Sequence, residues 1–481
     1  MGLMRAMWGT VFTICHYTAV LIVVGRVLMR SRLAPSARLA WILVVEALPI
    51  LGLLAYILFG EVRMRRTERR RMADVRAELS SLWKPSPEVV RDPPAFAQPV
   101  IASMRATGGM SAVDGCRVTL LEESDLAITR LVHAIDAAER EVHLLFYIWL
   151  PDRSGSAVGE ALIRARARGV TVRLVVDALG SRQLVRSALW ARLQAAGAEC
   201  VRAFPWGNPL TSALFQRLDL RNHRKIVVID DSVAFTGSRN CADMAFSIKA
   251  RFAPWIDILL QVEGPVVQQL QAVFLQDWMS YTGRDLGREL VAVPPVEGAD
   301  EIAQVMASGP DQRGASLSDS IATLIYASRE TLTITTPYYV PDESINAAIR
   351  SAARRGVAVT LILPAKNDSR IVAATSEGYF LDLLRSGVRL MQFQGGLIHA
   401  KIVTVDGRMT LIGSANLDRR SFDLNYEVNM LVVDDGLTAQ VDARQASYIA
   451  RAHRVTIAEV EGWSRLRRLR NNLLAIAAPL I

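Results

Sequence analysis

Two stretches of the 481-residue chain repeat one another: His223-Arg-Lys-Ile-Val-Val-Ile-Asp230 and His399-Ala-Lys-Ile-Val-Thr-Val-Asp406. Each is followed, after six residues, by Gly-Ser-x-Asn, at Gly237–Asn240 and Gly413–Asn416. The β-branched run behind each lysine reads as a buried strand, on which residues two apart share a face. His223 with Lys225, and His399 with Lys401, therefore each set an imidazole beside an ammonium. Asp230 and Asp406 complete the two motifs, but their opposite parity assigns them to bracing the strand. Facing one another, these surfaces offer two imidazoles, two ammonium groups, the hydroxyls of Ser238 and Ser414, and the amides of Asn240 and Asn416. That inventory suits phosphodiester cleavage. One imidazole attacks phosphorus and the other protonates the leaving oxygen, while the lysines and turn donors hold the non-bridging oxygens. Imidazole, with an unperturbed pKa of about 6.5, serves in either role near neutrality. A lone His-x-Lys arises readily by chance on a core strand; two with identical downstream spacing imply one site built from both halves.

The elements that position these groups are themselves duplicated. Leu150-Pro-Asp152 followed by Ala165-Arg-Ala-Arg-Gly-Val-Thr-Val-Arg-Leu-Val-Val-Asp177 parallels Val340-Pro-Asp342 followed by Ala352-Ala-Arg-Arg-Gly-Val-Ala-Val-Thr-Leu-Ile-Leu-Pro364. Each reads as strand, Pro-Asp turn, amphipathic helix, glycine stop and strand. The fold class is α/β, with two lobes of sheet and covering helices, and a Pro-rich stretch at 291–296 marks their boundary. The organisation expected is a membrane segment over 1–60, a basic juxtamembrane segment and Pro-rich spacer over 61–110, and lobes over 111–295 and 296–481.

These motifs resemble the phospholipase D superfamily, whose signature is His-x-Lys-x4-Asp present twice. The passage Gly413-Ser-Ala-Asn-Leu-Asp-Arg-Arg-Ser-Phe-Asp-Leu-Asn-Tyr-Glu-Val-Asn429, with Arg221-Asn-His-Arg-Lys225 and Pro337-Tyr-Tyr-Val-Pro341, is similar to the bacterial cardiolipin synthase branch. Where that branch often has Gly-Gly-x-Asn, the first turn here reads Gly-Ser-Arg-Asn. The resemblance implies transfer of a phosphatidyl group from one phosphatidylglycerol to another through a phosphohistidine, releasing glycerol and needing no cofactor. Family usage makes His223 the nucleophile and His399 the acid. It also matches Asp257 and Glu427 to positions that hold the imidazoles through their second nitrogen. Hydrolysis by the same fold shares the first step, and the motifs alone do not separate the two outcomes.

Composition narrows the substrate. The net charge is +9, yet residues 1–72 hold eleven Arg, no Lys and three Glu, which leaves the rest of the chain nearly neutral. A nuclease tracking a phosphate backbone would carry its basic surface on the catalytic body. Nucleic acid is therefore not the expected partner; an anionic phospholipid is. Apolar runs at 6–25 and 39–60 are each long enough to cross a bilayer, which needs about 20 helical residues, and read as a transmembrane hairpin. Glu46 and Pro49 interrupt the second. Arginine counting puts the lobes on the cytoplasmic side of a bacterial inner membrane. The basic, apolar C-terminal helix either rests on the bilayer or packs on its own lobe. Neither the four cysteines nor the carboxylates show metal-ligand spacing, and no metal is expected. His16, His133, His143 and His453 lack a partner motif and read as structural.

Overall fold

The computed structural model describes residues 2–30, 35–64, 66–82, 93–121, 124–205, 217, 219–311 and 317–477. In the first half, β1 (Val113–Leu121), β2 (Glu141–Phe146), β3 (Thr171–Asp177), β4 (Glu199–Ala203), β5 (Arg221–Asn222), β6 (Lys225–Ile229), β7 (Val233–Gly237), β8 (Trp255–Ile256) and β9 (Leu259–Glu263) follow in order. The second half repeats them with β10 (Glu301–Ser308), β11 (Thr331–Thr335), β12 (Tyr339–Val340), β13 (Ala358–Pro364), β14 (Arg389–Phe393), β15 (Leu397–Ile398), β16 (Ile402–Val405), β17 (Met409–Gly413), β18 (Leu417–Asp418), β19 (Asn425–Val433) and β20 (Ala452–Arg454). The spatial order is β4-β3-β2-β6-β7-β9-β1 in one half and β14-β13-β11-β16-β17-β19-β10 in the other, with β20 added at the far edge. The two sheets become one where β1 pairs antiparallel with β10, Val113 opposite Ala303.

The repeated Pro-Asp turns are helix caps. Asp152 accepts the Gly155 N–H at 3.0 Å to start Arg153–Ala167, and Asp342 accepts the Ile345 N–H at 3.0 Å to start Glu343–Arg354. An N-cap carboxylate satisfies one of the four donors that a helix start leaves open. Past both helix ends the chain turns through a left-handed glycine, Gly169 at φ 93° and Gly356 at φ 92°, a conformation glycine adopts without Cβ strain. Between the lobes runs the helix Val266–Thr282, buried from Val266 to Ser280, whose apolar face joins a core drawn from both halves.

The 61–110 segment is not a free spacer. Numbering the helices from the N-terminus, α4 (Arg66–Leu82) buries Met72, Val75 and Leu79, one stripe at helical spacing, in the core around the Val266–Thr282 helix. Next, α5 (Gln98–Gly108) buries Val100, Ile101 and Met104 in the core of the second half. Burial of these apolar stripes ties both helices to the lobes. Of the expected Pro-rich spacer, residues 83–92, with Lys84-Pro-Ser-Pro87, lie outside the described residues.

The N-terminal region also departs from a simple hairpin. Helix α1 (Gly2–Leu28) contains one apolar span, Met7–Leu28. The second run is broken at Pro49, which has no N–H to donate. It forms α2 (Pro35–Ala47) and α3 (Leu51–Phe59), with Ile50 between them at a left-handed φ of 64°. Glu46 is exposed on α2.

At the other end, a final helix (Arg465–Ala477) packs on its lobe. Arg467 donates to both Glu377 oxygens at 3.0 and 2.8 Å, and Asn471 donates to Glu377 at 2.7 Å. Its opposite face exposes Leu466, Leu469, Leu473 and Ile476.

Candidate active site

Neither motif histidine lies within a regular strand. His223 falls in the gap between β5 and β6, and His399 in the gap between β15 and β16. Upstream of each gap the chain pairs with the other half, β5 with β19 and β15 with β8; downstream it joins its own sheet. The backbone N–H of His223 donates to the Tyr426 carbonyl at 2.9 Å, and that of His399 to the Ile256 carbonyl at 2.8 Å. Each histidine is thus fixed by the lobe it does not belong to.

The carboxylates cross over in the same way. His223 Nδ1 lies 2.9 and 3.1 Å from the two Glu427 oxygens, and His399 Nδ1 lies 2.7 Å from Asp257 Oδ1. An ionised carboxylate only accepts, so each ring carries its proton on Nδ1 and turns Nε2 away, toward the reacting atom. Burial would raise both carboxylates, but the charges of the histidine and lysine partners override it. Glu427 is held down at about 2 and Asp257 well below the usual carboxylate range.

Ser238 and Ser414 explain how those carboxylates stay in place. Ser238 Oγ donates to Asp257 at 2.7 Å and accepts the Ile258 N–H at 3.0 Å; Ser414 Oγ donates to Glu427 and accepts the Val428 N–H at 2.9 Å. The preceding glycines make this approach sterically feasible. A Cβ on Gly237 would meet the Ile258 carbonyl at 2.5 Å, and one on Gly413 the Val428 carbonyl at 2.5 Å. The serine hydroxyls, expected at the phosphate, instead support the carboxylates. Asn240 Oδ1 takes the Ile148 N–H at 3.3 Å, and the Asn416 N–H reaches Ser421 Oγ at 3.1 Å, so both turns are tied to neighbouring loops.

Lys225 and Lys401 are buried, and each Nζ donates to the carbonyl of its own histidine at 2.5 Å. Burial pushes Lys225 down to about 7 against Glu427, with Lys401 adding to the fall, and pushes Lys401 down to about 8. Burial likewise lowers His223 to about 4, opposed by Glu427 and assisted by Lys225 and Lys401, and lowers His399 with the help of both lysines. The two motifs meet through the crossed carboxylates, Glu427 of the second half on His223 and Asp257 of the first half on His399. Taking two ammonium groups out of water is expensive, and the charges of Glu427 and Asp257 offset part of that cost.

Asp230 and Asp406 stand apart from this cluster. Asp230 accepts three successive N–H groups, of Glu139, Arg140 and Glu141, at 2.8–2.9 Å. Asp406 accepts those of Arg329, Glu330 and Thr331, also at 2.8–2.9 Å. Both lock the β-turn end of the motif strand to the start of its neighbour. Asp and Asn tolerate the left-handed backbone found there, φ 52° and 54°.

Other site residues gave little sequence signal. The Tyr147 ring lies 4.8 Å from the His223 ring and the Trp255 ring 4.9 Å from that of His399, each forming an aromatic wall. Arg224, fully buried, donates to Asp277 Oδ1 at 2.7 Å and to the Glu427 carbonyl at 3.2 Å. Trp255 sits two residues before Asp257 in Trp-Ile-Asp, and Arg224 separates His223 from Lys225, but only the fold reveals what they touch. Away from this cleft, Glu141, His143 and Glu289 converge closely enough to hold an ion. Arg173 fills that place instead, 2.9 Å from His143 Nε2 and 3.0 Å from Glu289 Oε1.

Residues 131–278 and 321–448 match the family described as cardiolipin synthase, phospholipase D-like domain, and residues 18–61 match the phospholipase D-nuclease N-terminal family. Cardiolipin synthase A of Yersinia pseudotuberculosis serotype O:1b (strain IP 31758) is 37% identical over 467 residues, covering 95% of each chain, and that of Yersinia pestis is equally similar. Among solved structures, phosphatidylserine synthase of Haemophilus influenzae Rd KW20 aligns with a TM-score of 0.58 at 16% identity, over 80% of this chain and 97% of that one. This last likeness concerns the fold.

Proposed function

Because this chain belongs to the cardiolipin synthase family of phospholipase D-like proteins, we propose that it is a cardiolipin synthase that joins two phosphatidylglycerol molecules and releases glycerol. The near full-length identity to cardiolipin synthase A carries this reading, and the crossed histidine–carboxylate pairs supply its chemistry.

In the first step, His223 Nε2 attacks the phosphorus of one phosphatidylglycerol. The bond to the glycerol oxygen breaks, and His399, which enters this step as an imidazolium supported by Asp257 with a second proton on Nε2, gives that Nε2 proton to the oxygen. In the second, the glycerol hydroxyl of another phosphatidylglycerol attacks the phosphohistidine, returning its proton to His399, and His223 leaves. Lys225 and Lys401 hold the non-bridging oxygens, where charge builds in both transition states. Glu427 and Asp257 fix the tautomers and stabilise imidazolium, as in other oriented-histidine sites. No step calls for a metal, and turnover is expected to persist in chelator. The lobes lie against the cytoplasmic face of the membrane, where the N-terminal arginines meet anionic headgroups at about 1 kcal/mol per charge.

Vesicles containing labelled phosphatidylglycerol, with products identified by mass, test the proposal. Cardiolipin with glycerol is the expected outcome. Phosphatidic acid with glycerol and no cardiolipin would make the chain a hydrolase.

A further inference from the structure

We infer that only α1 crosses the bilayer, and that α2 and α3 form a re-entrant pair dipping into the same leaflet from which it emerges. At about 1.5 Å per residue, the 22 residues of Met7–Leu28 reach about 33 Å, enough for a hydrocarbon core of about 30 Å. The 13 residues of α2 reach about 20 Å and the 9 of α3 about 14 Å, so neither spans it alone. They do not add end to end either. Trp41 on α2 packs against Tyr56 on α3, ring centroids 5.3 Å apart. Gly52 lies so close to α2 that a Cβ there would meet the Val44 carbonyl at 2.3 Å. Those two contacts are what a chain folded back on itself near Pro49 produces.

The return point settles the geometry. A second crossing would bring Glu61 beside the first residues of α1, about 40 Å from its C-terminal end. Instead Glu61, just past α3, is buried against that C-terminal end, taking hydrogen bonds from Arg26 Nη2 at 2.8 Å, from Arg30, and from Tyr56 OH at 2.8 Å. Beyond it, Arg217 of the first lobe donates to the Phe59 carbonyl at 2.7 Å and its N–H to the Arg63 carbonyl at 3.0 Å. The entry and exit of the pair, the end of α1 and the lobes therefore share one side. Leu48, Ile50, Leu51 and Leu54, exposed around the tip, are left facing acyl chains. Backbone bonding continues around the break, from the Gly52 N–H to the Leu48 carbonyl at 2.6 Å, as irregular chain at membrane depth requires.

Charge distribution agrees independently. With two crossings, Arg26, Arg30, Arg32 and Arg38 would flank the far side, against the bias that keeps arginine in the cytoplasm. With one, those four and Arg63, Arg65, Arg66, Arg69, Arg70 and Arg71 all lie on the lobe side, and Arg5 alone lies opposite.

The test uses the full chain with an epitope tag at each end, in intact spheroplasts and in permeabilised ones. Arg32→Cys and, separately, Ser36→Cys are treated with a membrane-impermeant maleimide. Neither residue belongs to the catalytic machinery. Both thiols should label only after permeabilisation, in step with the C-terminal tag, whereas the N-terminal tag should be cut by external protease in intact spheroplasts. Labelling of either thiol in intact spheroplasts, with the N-terminal tag protected, would establish two crossings and overturn the inference. The readout needs no turnover, so it stands or falls apart from the lipid-transfer reading.

Discussion

The two half-sites share a backbone plan and differ in how tightly each histidine is bound into it. His223 faces both oxygens of Glu427, and that carboxylate is also held by Asn425 at 3.1 Å and by Ser414. Arg224, between the histidine and the lysine, clamps this strand to Asp277 and to the Ser308 carbonyl at 3.1 Å. His399 faces one oxygen of Asp257, and the residue between it and Lys401 is Ala400, which contributes only its N–H to the Ile256 carbonyl at 2.9 Å. Duplication supplied the frame, and single-residue departures set the two imidazoles in different mountings. The difference in mounting supports the proposed division of roles, in which His223 carries the phosphatidyl group and His399 passes a proton back and forth.

The sharpest way to break that comparison is to remove each ring in turn. His223→Ala and His399→Ala should each lose about 10^4-fold or more in turnover on phosphatidylglycerol. They should then part on a phosphatidyl ester of nitrophenol, whose leaving group needs no proton. His399→Ala should recover cleavage there and His223→Ala should not. Recovery in the reverse pattern would exchange the two roles.

Next in size are the crossed carboxylates. Glu427→Gln and Asp257→Asn each keep the shape of the side chain but leave the tautomer unfixed and imidazolium unsupported. Losses of roughly 10^2- to 10^4-fold are expected, with the pH profile displaced as well. A purely structural role would lower the amount of folded enzyme and leave the profile of the remainder unmoved.

The lysines give a pH prediction that sharpens the same contrast. In the free enzyme Lys225 loses its proton as pH rises through about 7 and Lys401 through about 8, so the grip on phosphate weakens on the alkaline side, where His399, lowered by burial, has also lost the proton it must give. His223 is neutral above about 4, so nucleophile protonation limits only the acid side. Bound phosphate favours charged lysine. The alkaline limb of kcat should therefore lie at higher pH than that of kcat/KM, measured in micelles of varied phosphatidylglycerol content. Coincident limbs would remove the lysines from phosphate binding.

Smaller effects belong to Asp230 and Asp406. Replacing either by Ala strips the acceptor from three backbone N–H groups and leaves a non-glycine left-handed residue, at a cost of about 1–3 kcal/mol of stability. The transition temperature should fall while activity per folded molecule holds.

Much of this was legible because the chemistry is repeated. The His-x-Lys-x4-Asp pairs, the Pro-Asp caps and the glycine stops are local patterns, each with a local cause, and the seven-strand repeat follows from them. Asp257 and Glu427 were legible through family resemblance as the residues that hold the imidazoles, but which histidine each one holds was not. Nothing near His223 in the chain indicates a carboxylate 204 residues away, nor that a strand gap hands each histidine to the opposite lobe. The second apolar run was only partly legible for a related reason. Hydropathy counts residues, whereas Pro49 and the packing of Gly52 on Val44 decide whether those residues extend or fold back.

The last contrast is on the surface. The second half ends in the Arg465–Ala477 helix, which docks through Arg467 and Asn471 and turns Leu466, Leu469, Leu473 and Ile476 outward with Arg465 and Arg468 beside them. It lies on the Arg370–Glu377 helix, which begins two residues after Asp368, the carboxylate that pairs across the lobes with Lys249. An apolar stripe bordered by arginine fits an anionic interface, and seating it there would steady the cleft against the bilayer. Leu469→Glu with Leu473→Glu removes apolar contact, and a loss of about 1 kcal/mol corresponds to roughly fivefold. Turnover of phosphatidylglycerol in vesicles should fall by about that factor. Turnover of a soluble short-chain phosphatidylglycerol should stay level, because the crossed histidine pairs are untouched. Equal loss on both substrates would make the helix a structural brace of the second lobe.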